Sequence, residues 1–106
     1  MVIGVFIITA KPGCRDERVY QAVIPKVLEE KGSIQYIAAT DLYYGPPQCL
    51  LGGESFALIG MWESQKEFEA HAVSAHMEAC RSRVEEIVVS RTLHLVSSVK
   101  NSKSRS

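Results

Sequence analysis

The sequence predicts one α+β domain in which four β-strands form an antiparallel sheet and helices cover one of its faces. Three observations lead to this fold class. The chain has 106 residues, which is close to the usual size of a single domain. Hydrophobic residues make up 46 % and charged residues 23 %, which is typical of a globular chain rather than a disordered one. Along the chain, strand-like and helix-like segments follow one another in the order β-α-β-β-α-β.

The first strand is predicted for residues 2–11 and the first helix for about 15–31. The strand is rich in β-branched and aromatic side chains and ends at Pro12-Gly13, which favours a turn. In the helix, apolar pairs recur every four residues and form one apolar stripe. Pro25 lies inside this pattern and removes one backbone donor, so we expect a kink or a local break there.

The remaining elements are a second strand over residues 33–44, a third from Phe56 to Trp62, a split helix, and a last strand over about 87–96. Ser64 and Glu67 have the spacing of a capping box at the start of the first short helix, and Ser74 can cap the next. This order of elements is the ferredoxin-like pattern. We assign residues 1–97 to a single domain and residues 98–106 to a polar Ser/Lys tail.

Both faces of the predicted sheet are apolar. In a strand that has one face in water, apolar and polar residues should alternate along the sequence. Residues 2–10 and 56–62 show almost no such alternation. The helices of one chain can cover only one face, and exposing the other costs about 25 cal/mol per Å² of apolar surface. We therefore expect a homodimer in which two sheets pack face to face and form an α+β barrel.

Charge and composition exclude several classes of function. The formal net charge is zero, with 12 basic and 12 acidic side chains, so the chain lacks the basic excess of a nucleic-acid-binding surface. The apolar run Met1–Ala10 is about half of the roughly 20 residues that a membrane-spanning helix needs, and no basic residues precede it as in a secretory signal. The three cysteines lie far apart, which argues against a disulfide framework. We expect a cytoplasmic protein with no nucleic-acid or membrane partner.

From Ser55 to Val96 the chain resembles the antibiotic biosynthesis monooxygenase family of dimeric α+β barrels. The motifs that carry the resemblance are Trp62-Glu63-Ser64, Phe68-Glu69-Ala70-His71 and Ser74-Ala75-His76-Met77. The N-terminal half resembles the family more loosely, through Lys11-Pro12-Gly13, residues 27–32 and Tyr36. Within the family the chain is most similar to the quinol monooxygenase branch. The resemblance implies a cofactor-independent enzyme that oxidises quinols or related polycyclic phenols, with dioxygen as co-substrate. Haem-degrading proteins of similar fold use an Asn, a Trp and a His that this chain does not reproduce, so haem is not expected.

Oxygenation without a metal or flavin needs a base, a hydrogen-bond donor for the developing oxyanion and a dry pocket. His71 and His76 are close in the chain and titrate near neutrality, so either is expected to remove a phenolic proton. Trp62 carries over from the family as a third catalytic candidate, whereas Leu58 and Phe68 stand where the actinorhodin-type enzyme has an Asn and a Tyr.

Each of these three residues also has a structural interpretation. His71 can be a packed residue on a helix face, and His76 a surface residue in the first turn of a helix. Trp62 ends an apolar strand, where a large aromatic is commonly part of the core.

The substrate pocket is expected between the sheet and the helices. Its candidate lining residues are Phe6, Tyr36, Phe68 and Met77, with Trp62 as a further wall. Leu50 and Leu51 form the apolar centre of a loop over residues 45–53, which is too long for a hairpin turn. This loop is expected to be a lid over the pocket or an arm onto the partner subunit, with a mobile surface loop as the alternative.

No metal site is expected, because no carboxylate or second cysteine near His71, His76 and Cys80 completes a ligand set. Two other functions use the same residues. A barrel of this kind can bind or sense a small molecule without reaction, and the histidines can serve as acid and base in an isomerase or hydrolase of small oxygenated metabolites. Fold alone does not decide among these functions.

Overall fold

The structure, a computed structural model, describes residues 1–16 and 18–99. Its elements are β1 (Val2–Ala10), α1 (Arg18–Leu28), β2 (Ser33–Ala39), a 3₁₀ turn (Pro47–Cys49), β3 (Ser55–Trp62), α2 (Gln65–Ala72), α3 (Ala75–Val84) and β4 (Val88–Val96). The strands form one antiparallel sheet in the order β2-β3-β1-β4. The predicted ferredoxin-like α+β class is confirmed. From Lys100 onward, the predicted polar tail lies outside the described residues.

One face of the sheet packs against the helices and forms the core. In the central pair of strands, Phe6 lies opposite Leu58 and Ile8 opposite Phe56. Because side chains alternate along a strand, these four share one face. The buried residues that join them in the core come from all three helices and from two strands: Tyr20, Val23, Val27, Tyr36, Trp62, Phe68, Met77, Cys80 and Val84.

The opposite face carries the alternate positions of the same strands, and we call it the open face. On β1, β2 and β3 its large apolar residues are Ile3, Val5, Ile7, Ile37, Ile59 and Met61. Ile37 is 41 % exposed, and the other five are half-buried. The lack of alternation in the sequence thus corresponds to two apolar faces. The dimer that would cover the open face stays a prediction.

The second strand is shorter than predicted, because its hydrogen-bonding partner runs out. Pairing between β2 and β3 ends with Ala39 opposite Ala57. The apolar residues 42–44 therefore lie exposed in a loop instead of continuing the strand to residue 44. Just after β2, the carboxylate oxygens of Asp41 accept backbone hydrogen bonds from Leu51 at 2.7 Å and Gly52 at 3.0 Å.

Helix α1 is continuous through Pro25, so the local break does not occur, and the alternative that we expected, a kink, stays a prediction. Pro25 lies on the exposed side of the helix. After α1 the chain turns at Gly32, whose φ is +80°. A Cβ at this position would also lie 2.9 Å from Glu67 Cβ, so the turn into β2 requires glycine. None of the helices in the described part of the chain is long and apolar enough to cross a bilayer.

The two predicted helix caps use different hydrogen bonds from those expected. Ser64 precedes α2, but its hydroxyl donates to the Glu67 carboxylate and makes no bond to the helix backbone. Ser74 precedes α3, and its hydroxyl donates to the carbonyl of His71 at 2.8 Å. The break between α2 and α3 is therefore held by a contact that also fixes the end of α2.

Candidate active site

A cavity of about 170 Å³ lies between the sheet and the helices on the covered face. Its floor crosses three strands, because the register places Leu58 of β3 opposite Phe6 of β1 and Phe6 opposite Leu93 of β4. The other lining residues are Ile8, Tyr20, Tyr36, Met77, Arg81, Arg91 and Thr92. The walls are mainly apolar with a few polar groups, as is typical of sites for small aromatic ligands.

The cavity has a closed end and an open end. Tyr36 on β2 forms the closed end and is 2 % exposed. At the other edge of the sheet, Arg91 and Leu93 on β4 are exposed. Three strand spacings of about 4.8 Å, roughly 14 Å in all, separate β2 from β4. An elongated ligand can therefore lie across the strands with one end buried and one end near solvent.

Behind Tyr36 lies a polar group that we call the carboxylate–histidine cluster: Glu30, His71 and His76. Both carboxylate oxygens of Glu30 lie 3.0 Å from Nδ1 of His71, and Oε2 lies 2.5 Å from Nε2 of His76. The indole N–H of Trp62 donates to Oε1 of Glu30 at 3.3 Å. The His71 ring centre is 5.7 Å from that of Tyr36 and 4.6 Å from that of Trp62. The Tyr36 ring therefore contacts both the cluster and the cavity.

The cluster forms where three helix ends meet. Glu30 follows the C terminus of α1, His71 lies in the last turn of α2, and His76 lies in the first turn of α3. Between the two histidines, the Ser74 hydroxyl lies 3.2 Å from Nε2 of His76. The division of the second helical segment therefore turns both imidazoles toward the same carboxylate.

Burial favours the neutral form of His71. His71 is 3 % exposed, and burial lowers its pKa, although the hydrogen bond and charge of Glu30 act in the opposite direction. The neutral imidazole is thus favoured, and we assign its proton to Nδ1, which faces the acceptor oxygens of Glu30. The Nε2 lone pair of His71 is then available to accept a proton.

Both tyrosines of the cavity keep their protons at neutral pH. Burial raises the pKa of Tyr36 above its ordinary range, and it raises the pKa of Tyr20 to about 12. A protonated phenol in an apolar cavity can donate a hydrogen bond to an oxygen of a bound ligand.

Among the described residues, the same cluster could hold a metal ion. The ligand atoms of Glu30, His71 and His76 lie within 4.8 Å of one another. Two imidazoles and one carboxylate are ligands that zinc and iron accept. Our expectation that no carboxylate completes the histidine pair was wrong, because Glu30 lies 41 residues before His71 and reaches it only through the fold.

Sequence comparison assigns the chain to a family. A sequence model described as "Antibiotic biosynthesis monooxygenase" matches residues 1–83. The chain belongs to the antibiotic biosynthesis monooxygenase family. The match confirms the resemblance seen in the motifs, including the looser resemblance of the N-terminal half.

Known proteins and structures agree with this assignment. A curated relative named "Probable quinol monooxygenase YgiN", from Escherichia coli strain K12, is 27 % identical over 77 residues, which cover 73 % of this chain and 74 % of that protein. A putative antibiotic biosynthesis monooxygenase from Nitrosomonas europaea has a TM-score of 0.80 at 14 % identity, covering 94 % of this chain and 100 % of that one. PA3566 from Pseudomonas aeruginosa has a TM-score of 0.79 at 20 % identity, covering 93 % and 94 %. Such structural likeness concerns the fold.

The structure separates the predicted site residues of this family member into two groups. Phe6, Tyr36 and Met77 line the cavity. His71, His76 and Trp62 belong to the cluster behind Tyr36 or contact it directly. Phe68 packs against Trp62 with ring centres 5.1 Å apart. Our expectation that Trp62 and Phe68 form walls of the pocket is corrected, because both pack in the core behind the cavity.

Leu50 and Leu51 lie apart from the cavity. Both are 38 % exposed, and neither is among the residues that line the cavity. The hydrogen bond from the Leu51 backbone to Asp41 holds this loop near the end of β2. The structure therefore does not place the loop as a lid on this cavity, and its use as an arm onto a partner subunit stays a prediction.

Several site residues were not predicted from the sequence, among them Glu30, Tyr20 and Arg91. Glu30 lies in the segment of residues 27–32, which resembles the family loosely, but nothing in this charged segment distinguished Glu30 as a functional residue. Tyr20 lies on the apolar stripe of α1, and that stripe placed it in the core without indicating a cavity. Arg91 alternates with Leu93 on β4, so strand periodicity could have placed it on the covered face.

Proposed function

We propose that this protein is a cofactor-independent monooxygenase that oxidises an aromatic quinol or phenol with dioxygen. One observation carries the proposal: an apolar cavity ends at a buried tyrosine, and that tyrosine packs against a histidine held by a carboxylate. Membership of the monooxygenase family supports the class of reaction. The relative named as a probable quinol monooxygenase supports the class of substrate.

The volume of the cavity favours a small substrate. An apolar protein cavity of about 150 Å³ holds benzene. A cavity of about 170 Å³ therefore suits a compound with one or two aromatic rings. A larger polycyclic phenol would have to extend through the open end toward Arg91.

The chemistry requires the substrate to lose a proton before it meets dioxygen. Triplet dioxygen reacts slowly with a closed-shell phenol, but a phenolate can transfer one electron to it. Recombination of the radical pair forms a hydroperoxide on a ring carbon, and loss of water from this carbon leaves a carbonyl. For a hydroquinone the sum is balanced: one hydroquinone and one dioxygen give one hydroxyquinone and one water.

The side chains around the cavity can move that proton. His71 does not line the cavity, but its ring packs against Tyr36, which does. We assign Tyr36 as the group that contacts the substrate hydroxyl and passes its proton to Nε2 of His71. The Glu30 carboxylate stabilises the imidazolium that forms, since it already accepts the proton on Nδ1. The apolar floor excludes water from the radical pair.

We also propose that the enzyme is a homodimer formed through the open face. Six large apolar residues of this face lie on three adjacent strands, and a second copy of the chain presents the same surface. An interface related by a two-fold axis joins such a surface to itself. The helices of both copies then lie outside a closed barrel.

Oxygen consumption with small hydroquinones tests the proposed reaction. We expect uptake that falls by about 10²-fold or more in Tyr36→Phe and in His71→Ala, because general-base catalysis contributes factors of this order. Glu29→Gln is the control, since Glu29 is exposed and adjacent to Glu30. Uptake that is unchanged in both site variants would contradict the assignment of these residues.

A ligand-binding protein without catalysis is the second candidate. The position of both histidines outside the cavity lining favours it. Such a protein would bind an aromatic ligand tightly and consume no oxygen. Turnover under argon would instead indicate acid–base chemistry without dioxygen, as in an isomerase.

A further inference from the structure

Two arginines line the open end of a cavity whose other walls are mostly apolar. Arg91 lies on β4 opposite Ile8 of β1, so it points to the covered face together with Leu93. Arg81 comes from α3 on the helix side. Both belong to the cavity lining, although both are largely in solvent. The open end is therefore bordered by one cation from the sheet and one from a helix.

The guanidinium groups have donors left for a ligand. Arg81 donates one hydrogen bond to the carbonyl of Ala72 at 2.9 Å, which uses one of its five N–H groups and holds the side chain in place. Within the described residues, Arg91 forms no ion pair and no hydrogen bond. The charge of Arg91 reaches Tyr20 in the cavity wall. It lowers the pKa of Tyr20, although burial raises that pKa by more.

Carboxylates near the arginines lie on the outer surface and not in the cavity. Glu78 and Glu85 border a separate depression together with Arg81 and Arg91. Neither carboxylate lines the cavity. A ligand inside the cavity therefore meets cations at the open end without a competing carboxylate in the wall.

The closed end has the opposite character. Tyr36 offers a neutral phenol there, with no cation among the lining residues of β2 or β3. A ligand with a hydroxyl group at one end and a negative charge at the other matches both ends. The separation of the two edge strands, roughly 14 Å across three spacings, is long enough to hold the two groups on opposite sides of an aromatic ring system.

We propose that Arg81 and Arg91 form an anion-binding site at the open end of the cavity, and that the substrate is an aromatic hydroxy acid. The carboxylate of this substrate contacts the arginines while the hydroxyl that reacts lies at Tyr36. The orientation of the substrate rests on the proposed oxygenation. The anion-binding site itself does not depend on the proposed oxygenation.

Calorimetry under argon tests the anion site without turnover. The ligands are 6-hydroxy-2-naphthoate and its amide, which have the same rings and differ in charge. We expect the carboxylate to bind roughly tenfold more tightly, since hydrogen bonds to a charged group are stronger than neutral ones. Arg91→Met and Arg81→Met should each reduce this preference several-fold, and Arg91→Lys should retain part of it.

Arg83→Met is the matched control, because Arg83 is an exposed arginine of the same helix as Arg81 and does not line the cavity. Equal affinity for the two ligands, or an equal loss in the control, would overturn the proposal. Oxygen uptake with a carboxylated hydroquinone is measured separately in air. A carboxylate preference without uptake would contradict the proposed oxygenation and leave the anion site supported.

Discussion

At the scale of residues, the candidate site depends on one carboxylate that the sequence does not single out. Glu30 accepts hydrogen bonds from the two histidines and from the indole of Trp62. Its side chain is 13 % exposed, so this charge is mostly removed from water. The carboxylate orients both imidazoles, and its hydrogen bond and charge favour the protonated form of His71. Glu30 is therefore a positioning residue for the base His71.

We expect Glu30→Gln to lower kcat by roughly 10- to 100-fold and to change its pH dependence. The base acts when neutral, so activity rises with pH through the pKa of His71. Burial lowers this pKa and Glu30 raises it, so the loss of the carboxylate should move the acid limb to lower pH. The pH–rate profile is the measurement, with Glu29→Gln as control. An acid limb that stays in place would show that Glu30 does not act on the base.

The histidines of the cluster could be predicted from the sequence, but the carboxylate that binds them could not. The motif around His71 and His76 identified both histidines, because a family motif is local in the chain. Glu30 joins them from 46 residues before His76. A contact of that length depends on how α1 ends and on the sheet order, and no local pattern encodes it. The predicted set of groups therefore lacked its carboxylate.

At the scale of elements, the packing of β3 against β2 sets the position of the cluster. Gly60 lies opposite Gly4 on one side and Tyr36 on the other. A Cβ at Gly60 would lie 2.7 Å from Cζ3 of Trp62 and 2.9 Å from Cδ1 of Tyr36. The glycine therefore lets the two rings of the site approach the sheet.

Gly60→Ala is expected to destabilise the fold by about 1–3 kcal/mol, the usual range for overpacking a core. The Trp62 ring must move, so its hydrogen bond to Glu30 should weaken as well. Urea denaturation measures the first effect, and tryptophan fluorescence reports the second because the chain has one Trp. The control is Gly53→Ala, where a Cβ meets no atom within 4 Å. Equal stability of the two variants would contradict the packing argument.

Strands were easier to predict than their ends. The runs of apolar residues in β1 and β3 identified both strands to within one or two residues. The same type of pattern at Leu42, Tyr43 and Tyr44 failed, because a strand also needs a partner and β3 begins only at Ser55. The hydrophobic pattern of a segment indicates which of its side chains can be buried. The length of the strand also depends on how far the neighbouring strand extends.

At the scale of the whole molecule, the open face is the feature that a single chain leaves unexplained. Its central residues, Val5 and Ile59, lie directly opposite each other on β1 and β3. Burying such a surface contributes about 25 cal/mol per Å² of apolar area. A second copy of the chain is the partner that we propose.

Light scattering should give a mass of twice 11.7 kDa for the protein. Ile59→Glu places a charge at the centre of the open face, and we expect it to produce monomers because an unpaired charge is costly to bury. Leu28→Glu is the control, since Leu28 is 47 % exposed at the end of α1. A wild-type protein that is monomeric at micromolar concentration would contradict the proposed dimeric α+β barrel.

The central claim is that the apolar cavity supports oxygenation without a cofactor, and isotope labelling tests it most directly. Protein freed of metal by chelation is incubated with a carboxylated hydroquinone under ¹⁸O₂, and the product is analysed by mass spectrometry. We predict one ¹⁸O atom in each hydroxyquinone formed and one in water, with loss of labelling in Tyr36→Phe. Unlabelled product, or hydrogen peroxide formed in place of labelled hydroxyquinone, would contradict the account.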